Sequence, residues 1–337
     1  VTLMVVILLF SAFAFASGLA PSLTIFLILR LAFGVAMGGE WGVGAALAME
    51  TIPARARGLV SGILQTGYAS GFLLAAITYL AMNKIVLDEH FRWRLMFMAG
   101  ALPALLLVWY IRRKVEESPA FLARTGRHAA SVRAFLAHIV RLLRANAGRF
   151  FYAVLLMTAF NAVAHGTQDL YPTFLQVQRL FPPLTVGLIV IVYFAGAIPG
   201  GLLFGALSQR IGRRWAIVIA AILVLPVIRF WAYGTDPVIL AAGAFFMGFF
   251  VQGAWGVVPV HLNELSPAAL RATFPGFAYQ LGNVLASGTA TIQAYIAKAN
   301  GGNYAFALAT VAAIAAVMLA VLAIFGPEAH GVDFEAG

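Results

Sequence analysis

Glu50-Thr-Ile-Pro53-Ala-Arg-Ala-Arg57 returns, 214 residues on, as Glu264-Leu-Ser-Pro267-Ala-Ala-Leu-Arg271. The same offset pairs Gly34 with Gly248, Gly39 with Gly253, Trp41-Gly42 with Trp255-Gly256, and Gly62 with Gly276. Nine identities in one register, one of them a tryptophan, are more than composition supplies, so the chain reads as two parallel halves.

What the halves are made of follows from composition. Of 337 residues, 62% are hydrophobic and only 10% charged, with a mean hydropathy of +0.94. A soluble domain carries about 25% charged residues, so this is an all-α polytopic membrane protein. Its net charge of +10 sits in short clusters between apolar segments rather than in one stripe, which excludes a nucleic-acid partner. There is no cysteine, and hence no disulfide, thiolate metal site or thiol chemistry. The first apolar segment has no basic flank or cleavage site, so no signal peptide is read.

Roughly 20 apolar residues cross a bilayer. On that measure ten helices are expected, near 2–18, 23–49, 58–81, 94–111, 150–172, 183–208, 215–233, 237–262, 272–296 and 303–325. The expected units are residues 1–111, a central loop 112–149, a six-helix half 150–326 and a tail 327–337. A short amphipathic helix is expected near Ala134–Leu143 in the loop. Fifteen basic residues fall on one side (Arg55, Arg57, nine in the central loop, Arg210, Arg213, Arg214, Arg271) and five on the other, so the first side is cytoplasmic. Gly205-Ala-Leu-Ser-Gln-Arg210-Ile-Gly212-Arg213-Arg214 follows the second helix of the second half, and its counterpart would fall before Val1. Ten helices are therefore expected to be the third to twelfth of twelve.

One stretch breaks the hydrocarbon: Asn161-Ala-Val-Ala-His165-Gly-Thr167-Gln168-Asp169-Leu-Tyr-Pro172-Thr173. On a helix, Asn161, His165, Gln168 and Asp169 share a stripe. Ionisable side chains at membrane depth are costly, and they either line a pathway or fix helix packing.

Two six-helix halves, a basic central loop and the Gly205–Arg214 motif together resemble the major facilitator superfamily. Gly38-Gly-Glu40-Trp-Gly42 with Glu50, Pro53, Arg57 and Gly58 is similar to its proton-coupled organic-acid carriers. The 161–173 stretch resembles the signature of lactate and pyruvate permeases in the sialate:proton symporter family, Asn-x-x-Ser/Thr-His-x-Ser/Thr-Gln-Asp-x-x-Pro-Thr. The departure is Ala164, where that family carries a hydroxyl. The resemblance implies a major facilitator fold and proton-coupled symport of a short monocarboxylate by alternating access.

A monocarboxylate needs donors, which Asn161, Thr167, Gln168 and a protonated His165 supply. Asp169 is the expected proton acceptor with His165, one turn away, as its partner. Arg30 opens an Arg-x-x-x-Gly-x-x-x-Gly row, either attracting the anion or serving packing; Glu40 is a second proton candidate or a hinge group. Gln280 and Asn283, three apart, lead a further tier with Gln65, Tyr68, Gln252 and Tyr279. The resemblance also implies a cytoplasmic clasp of Gly205, Arg210, Gly212, Arg213, Arg214, Glu264 and Arg271, with Glu50 and Arg57 in the first half. Glu264 is the expected acidic partner, because Gln209 stands where many members carry Asp.

The expected partners are a small carboxylate anion, protons and the lipid bilayer, handled by a monomer without metal or cofactor. A larger organic anion, sialate or a dicarboxylate, is the alternative cargo, and a non-transporting nutrient sensor the alternative class. An intramembrane hydrolase is excluded: neither Gly-x-Ser-x-Gly nor His-Glu-x-x-His occurs.

Overall fold

A bilayer offers no water to backbone polar groups, so an apolar chain of this length closes its hydrogen bonds inside helices. The computed structural model describes residues 2–38, 40–86, 88–114, 140–271 and 273–332. Among these the regular structure is α-helix with two single 3-10 turns. The first half comprises α1 (Thr2–Gly18), α2 (Leu23–Gly38), α3 (Glu40–Thr51), α4 (Arg57–Ile85) and α5 (Glu89–Lys114). The second comprises α6 (Ala147–Gln168), α7 (Tyr171–Val177), α8 (Pro183–Ile211), α9 (Arg213–Tyr233), α10 (Pro237–Trp255), α11 (Val258–Leu265), α12 (Phe274–Ala286), α13 (Thr289–Ala299) and α14 (Tyr304–Phe325).

Among the described residues, eight segments are long and apolar enough to cross a membrane. Of the other two expected spans, the first is the shorter apolar helix Leu3–Gly18, and 272–296 is split into α12 and α13. Splitting is the feature the hydropathy pattern did not show. α6 ends at Gln168, four residues before Pro172, and α10 ends at Trp255, four residues before Pro259. A proline has no N–H for the carbonyl four residues back and its ring clashes with that carbonyl, so each helix stops there and resumes one residue before the proline. The linking residues Asp169 and Gly256 remain right-handed, so each axis bends without reversing. The break between α12 and α13 falls at Ser287 and Gly288, also right-handed. The helix expected at Ala134–Leu143 lies largely outside the described residues, and the chain is helical from residue 140 to 145.

Packing concentrates on α8, which runs along α10 within its half and along α4 across to the other half. Glycines permit the crossing: a Cβ on Gly58 would lie 2.5 Å from the Gly205 carbonyl oxygen, and one on Gly62 would lie 2.5 Å from that of Gly201. α6 rests on α12 and α14. The repeat noted in the sequence converges in space. Trp41 stacks on Tyr279 with centroids 4.8 Å apart, and its repeat partner Trp255 meets the same ring edge-on at 6.0 Å.

Candidate functional site

The polar stripe occupies the last turn of α6 and the bend after it. Because Pro172 ends the helix there, the stripe lies where backbone carbonyls leave the helical ladder and side chains from α4, α8, α12 and α13 converge. The bend is held from outside: the Tyr171 hydroxyl donates to the Trp231 carbonyl at 3.1 Å, and its ring stacks on the Trp231 indole at 4.8 Å.

Two groups form on different sides of the turn. In the first, His165 Nδ1 is 3.0 Å from Asp169 Oδ2, and Nε2 is 3.2 Å from Asn283 Oδ1 on α12. The His165 and Asp169 side chains are 35% and 41% exposed, so the pair is formed without being sealed inside the bundle. A protonated ring donates at both nitrogens. A neutral ring keeps the Asp169 contact and accepts from the Asn283 amide once that amide turns over. Asn283 therefore serves either protonation state.

In the second group, Gln168 Nε2 donates to the Tyr193 hydroxyl at 3.1 Å, and Gln168 Oε1 accepts from the Tyr68 hydroxyl at 3.0 Å. Thr167, fully buried, shares a hydrogen bond of 3.2 Å with Tyr193 and donates to the Val163 carbonyl at 2.9 Å. A cavity of about 250 Å³ adjoins this group, lined by Thr167, Gln168 and Asp169 and by the rings of Phe72, Tyr193 and Phe194.

Other expected residues fall elsewhere. Asn161 is buried and donates along its own helix to Met157 at 2.8 Å. Arg30 lies over Phe33 at 4.1 Å and Phe97 at 4.9 Å, between α2 and α5, away from the stripe's hydrogen-bonded groups. Glu40 opens α3, with its carboxylate beside Gly44 and in electrostatic contact with Tyr279. Gln280 Nε2 reaches the Gly38 carbonyl at 3.4 Å and so ties α12 to the first half. Tyr193, which completes the second group, and Gln293, which holds the Gly166 carbonyl from α13, were not singled out in the sequence. Neither belongs to a motif, and only an inventory of the polar groups within the apolar helices would have raised them.

At the basic end of the bundle, about 20 Å along α6 from His165 by helix rise, lie the residues expected to form the clasp. Arg213 makes a two-pronged ion pair with Glu264, Nε–Oε2 2.9 Å and Nη2–Oε1 3.1 Å, both side chains fully buried. Arg213 Nη1 also donates to Ser208 at 2.9 Å and Gln209 at 3.1 Å. Gln209 then bridges the halves, accepting from the Gly58 amide at 3.1 Å and donating to the Ala54 carbonyl at 3.0 Å. Gly212, at φ +90°, makes the tight turn into α9, and Glu328 receives the amides of Arg213 at 3.3 Å and Arg214 at 3.1 Å at that helix's N-terminus. Arg57 donates to the Met49 carbonyl at 3.1 Å and the Val332 carbonyl at 2.7 Å. Arg271 is buried, whereas Arg210 is exposed at the end of α8. Glu50 closes α3, one residue from its end.

Comparison with known proteins matches this architecture. The profile described as "Sugar (and other) transporter" matches residues 1–147 and 150–330. A carboxylic acid transporter protein homolog of Saccharomyces cerevisiae is 34% identical over 292 residues, which is 81% of this chain and 46% of the yeast protein. A probable 4-methylmuconolactone transporter of Cupriavidus pinatubonensis is 28% identical over 338 residues, 99% of this chain and 76% of that protein. Among solved structures, a proton:xylose symporter of the major facilitator superfamily superposes with a TM-score of 0.78 at 19% identity, covering 99% of this chain and 82% of that one. A fucose transporter in the outward conformation gives 0.70 at 14%, covering 96% and 82%. The family and these relatives are transporters rather than enzymes. The chain is a multi-pass membrane protein with the fold of the major facilitator transporters it superposes on, and it belongs to the sugar (and other) transporter family.

Proposed function

We propose that the chain carries a short monocarboxylate of the lactate and pyruvate class in symport with a proton, by alternating access between its two halves. The observation that carries this reading is the His165–Asp169 pair, partly exposed, with Asn283 on the second ring nitrogen. Such a pair exchanges a proton with one side of the membrane while the Arg213–Glu264 end is shut. The name of the yeast relative, a carboxylic acid transporter homolog, supports a carboxylate cargo.

The sequence of events follows from charge. An anion crossing alone must leave water for a low dielectric, at a cost of several kcal/mol per ion. A proton taken up by Asp169 or His165 offsets that charge, so the loaded site adds no net charge to the membrane interior. The anion is met by donors, the Gln168 amide and the Tyr193 and Thr167 hydroxyls, and each contact it gains displaces one now made within the protein. Release requires the inner clasp to part and the acid pair to give its proton to the cytoplasm. The boundaries 1–111, 112–149, 150–326 and 327–337 are then two moving halves, a tether and a tail.

A larger organic anion is the second reading. It is favoured by the ring-lined cavity of about 250 Å³, more than a three-carbon acid fills, and by the name of the Cupriavidus relative. Competition assays separate the two. With labelled lactate entering proteoliposomes under an inward proton gradient, pyruvate should compete better than ring-bearing acids. The reverse order selects the second reading.

A further inference from the structure

Gln293, on α13, is fully buried, and its Nε2 donates to the Gly166 carbonyl at 2.7 Å. That carbonyl sits between His165 and Thr167. In an unbroken helix it would accept from the amide four residues on. Because α6 ends at Gln168, no backbone hydrogen bond from Leu170 reaches it, among the described residues. The proline-induced bend thus frees a carbonyl inside the proton-bearing turn, and an amide from another helix takes it up. The other end of the same amide, Oε1, is buried with no hydrogen-bond partner among the described residues. A buried acceptor left unpaired costs about 1–3 kcal/mol. An apolar side chain would avoid that cost but leave the Gly166 carbonyl unpaired, so the glutamine serves the backbone of the turn rather than the space it fills.

The split segment grips the turn a second time. Asn283 on α12 meets His165 Nε2 at 3.2 Å, while Gln293 on α13 holds Gly166. The two lie on opposite sides of the break at Ser287 and Gly288, and a Cβ on Gly288 would meet nothing within 4 Å, which leaves room for the axis to bend further. α13 itself is anchored against α6 and α14. One half of the segment is thus tied to the backbone of the turn, while the other reaches the turn through the imidazole and packs its Gly282 on Met157 and Thr158 of α6.

We propose that Gln293 is a positioning residue for the proton step: it pins the turn carrying His165 and Asp169 to α13, so that the His165–Asp169 pair keeps its geometry whether or not Asn283 holds the ring. The inference rests on the proton-coupled reading above. Its consequence is a division of labour. Loss of Gln293 loosens the acid pair, but leaves the Gln168–Tyr193–Tyr68 group, which is held by α4 and α8.

The test uses the full-length protein in proteoliposomes, with labelled lactate as probe, and compares wild type with Gln293→Met and Gln293→Glu. Counterflow without a proton gradient reads substrate exchange; accumulation under an inward proton gradient, across a range of pH, reads coupling. Gln293→Met is expected to exchange within about twofold of wild type and to lose about tenfold in accumulation, the size of effect one hydrogen bond carries. Gln293→Glu should recover coupling only at acid pH, where its protonated carboxyl can donate to the Gly166 carbonyl; a merely space-filling role predicts no such recovery. Wild-type accumulation and pH profile in Gln293→Met overturn the proposal. If that variant fails to fold, a pH-independent Gln293→Glu overturns it equally. A wild-type protein that exchanges lactate but never accumulates it with protons overturns the underlying reading instead.

Discussion

The Tyr68 hydroxyl donates to Gln168 Oε1 at 3.0 Å, a hydrogen bond that joins the first half to the second at the level of the polar stripe. The other end of the Gln168 amide is held by Tyr193, so both of its ends are engaged. A carboxylate that claims the Gln168 donor takes it from Tyr193, within one half. Displacement of Tyr68 loosens the halves. Occupancy and domain contact are linked through one side chain.

Tyr193→Phe should therefore weaken substrate binding more than Tyr68→Phe. Its hydroxyl is one of the donors proposed to meet the anion, whereas that of Tyr68 orients Gln168. At about 1 kcal/mol per hydrogen bond, the expected rise in KM is about fivefold for Tyr68→Phe and about tenfold or more for Tyr193→Phe. Concentration dependence of lactate uptake measures both; an unchanged KM in Tyr193→Phe would remove this group from the binding site.

The Arg213–Glu264 pair makes a separate prediction. Removing one partner of a fully buried pair strands the other charge and costs about 3–5 kcal/mol in the state that buries it. Arg213→Gln should therefore shift the carrier away from the conformation closed at the basic end. Because the chain has no cysteine, Ser61→Cys provides a single label site at that interface, where Ser61 bonds the Gly256 carbonyl at 2.7 Å. Labelling of Ser61→Cys by a thiol reagent from the cytoplasmic side should rise about tenfold or more when combined with Arg213→Gln. Equal labelling in both backgrounds would show that the pair does not hold the clasp.

Backbone contact between α4 and α8 can be tested without touching a charge. In Gly62→Ala the new methyl group would lie 2.5 Å from the Gly201 carbonyl oxygen, so the helices must separate. Gly71→Ala on the same helix meets nothing within 4 Å and serves as the control. Transport turnover should fall severalfold in the first and stay near wild type in the second, where a helical alanine is even favoured by about 1 kcal/mol. Equal turnover in the two would contradict a close α4–α8 seam.

Much of this was legible in the sequence because it rests on periodicity or repetition. The internal repeat marked two halves, the apolar runs marked the spans, and the four-residue spacing of His165 and Asp169 placed them in contact on one turn. What was not legible depends on partners from other helices. Pro172 and Pro259 split two spans that hydropathy reads as continuous, because a bend keeps the same apolar composition. Asn161 fits the stripe pattern, yet its amide bonds its own backbone at 2.8 Å. Thr167 lies on the far side of the helix from His165 and joins Tyr193 instead. Arg30, an isolated cation in the sequence, rests on phenylalanine faces, a contact that no spacing rule within α2 would have paired with α5.

The most direct test of proton coupling through the α6 turn is Asp169→Asn in the full-length protein. Labelled lactate uptake into proteoliposomes would be followed under an inward proton gradient, with and without a protonophore. The substitution keeps a side chain that His165 can still contact but removes the group that titrates. The account predicts accumulation in the wild type that collapses with the protonophore, and none in Asp169→Asn, with counterflow exchange retained. Gradient-driven accumulation preserved in Asp169→Asn would contradict it and move the proton site to another acid, Glu40 first.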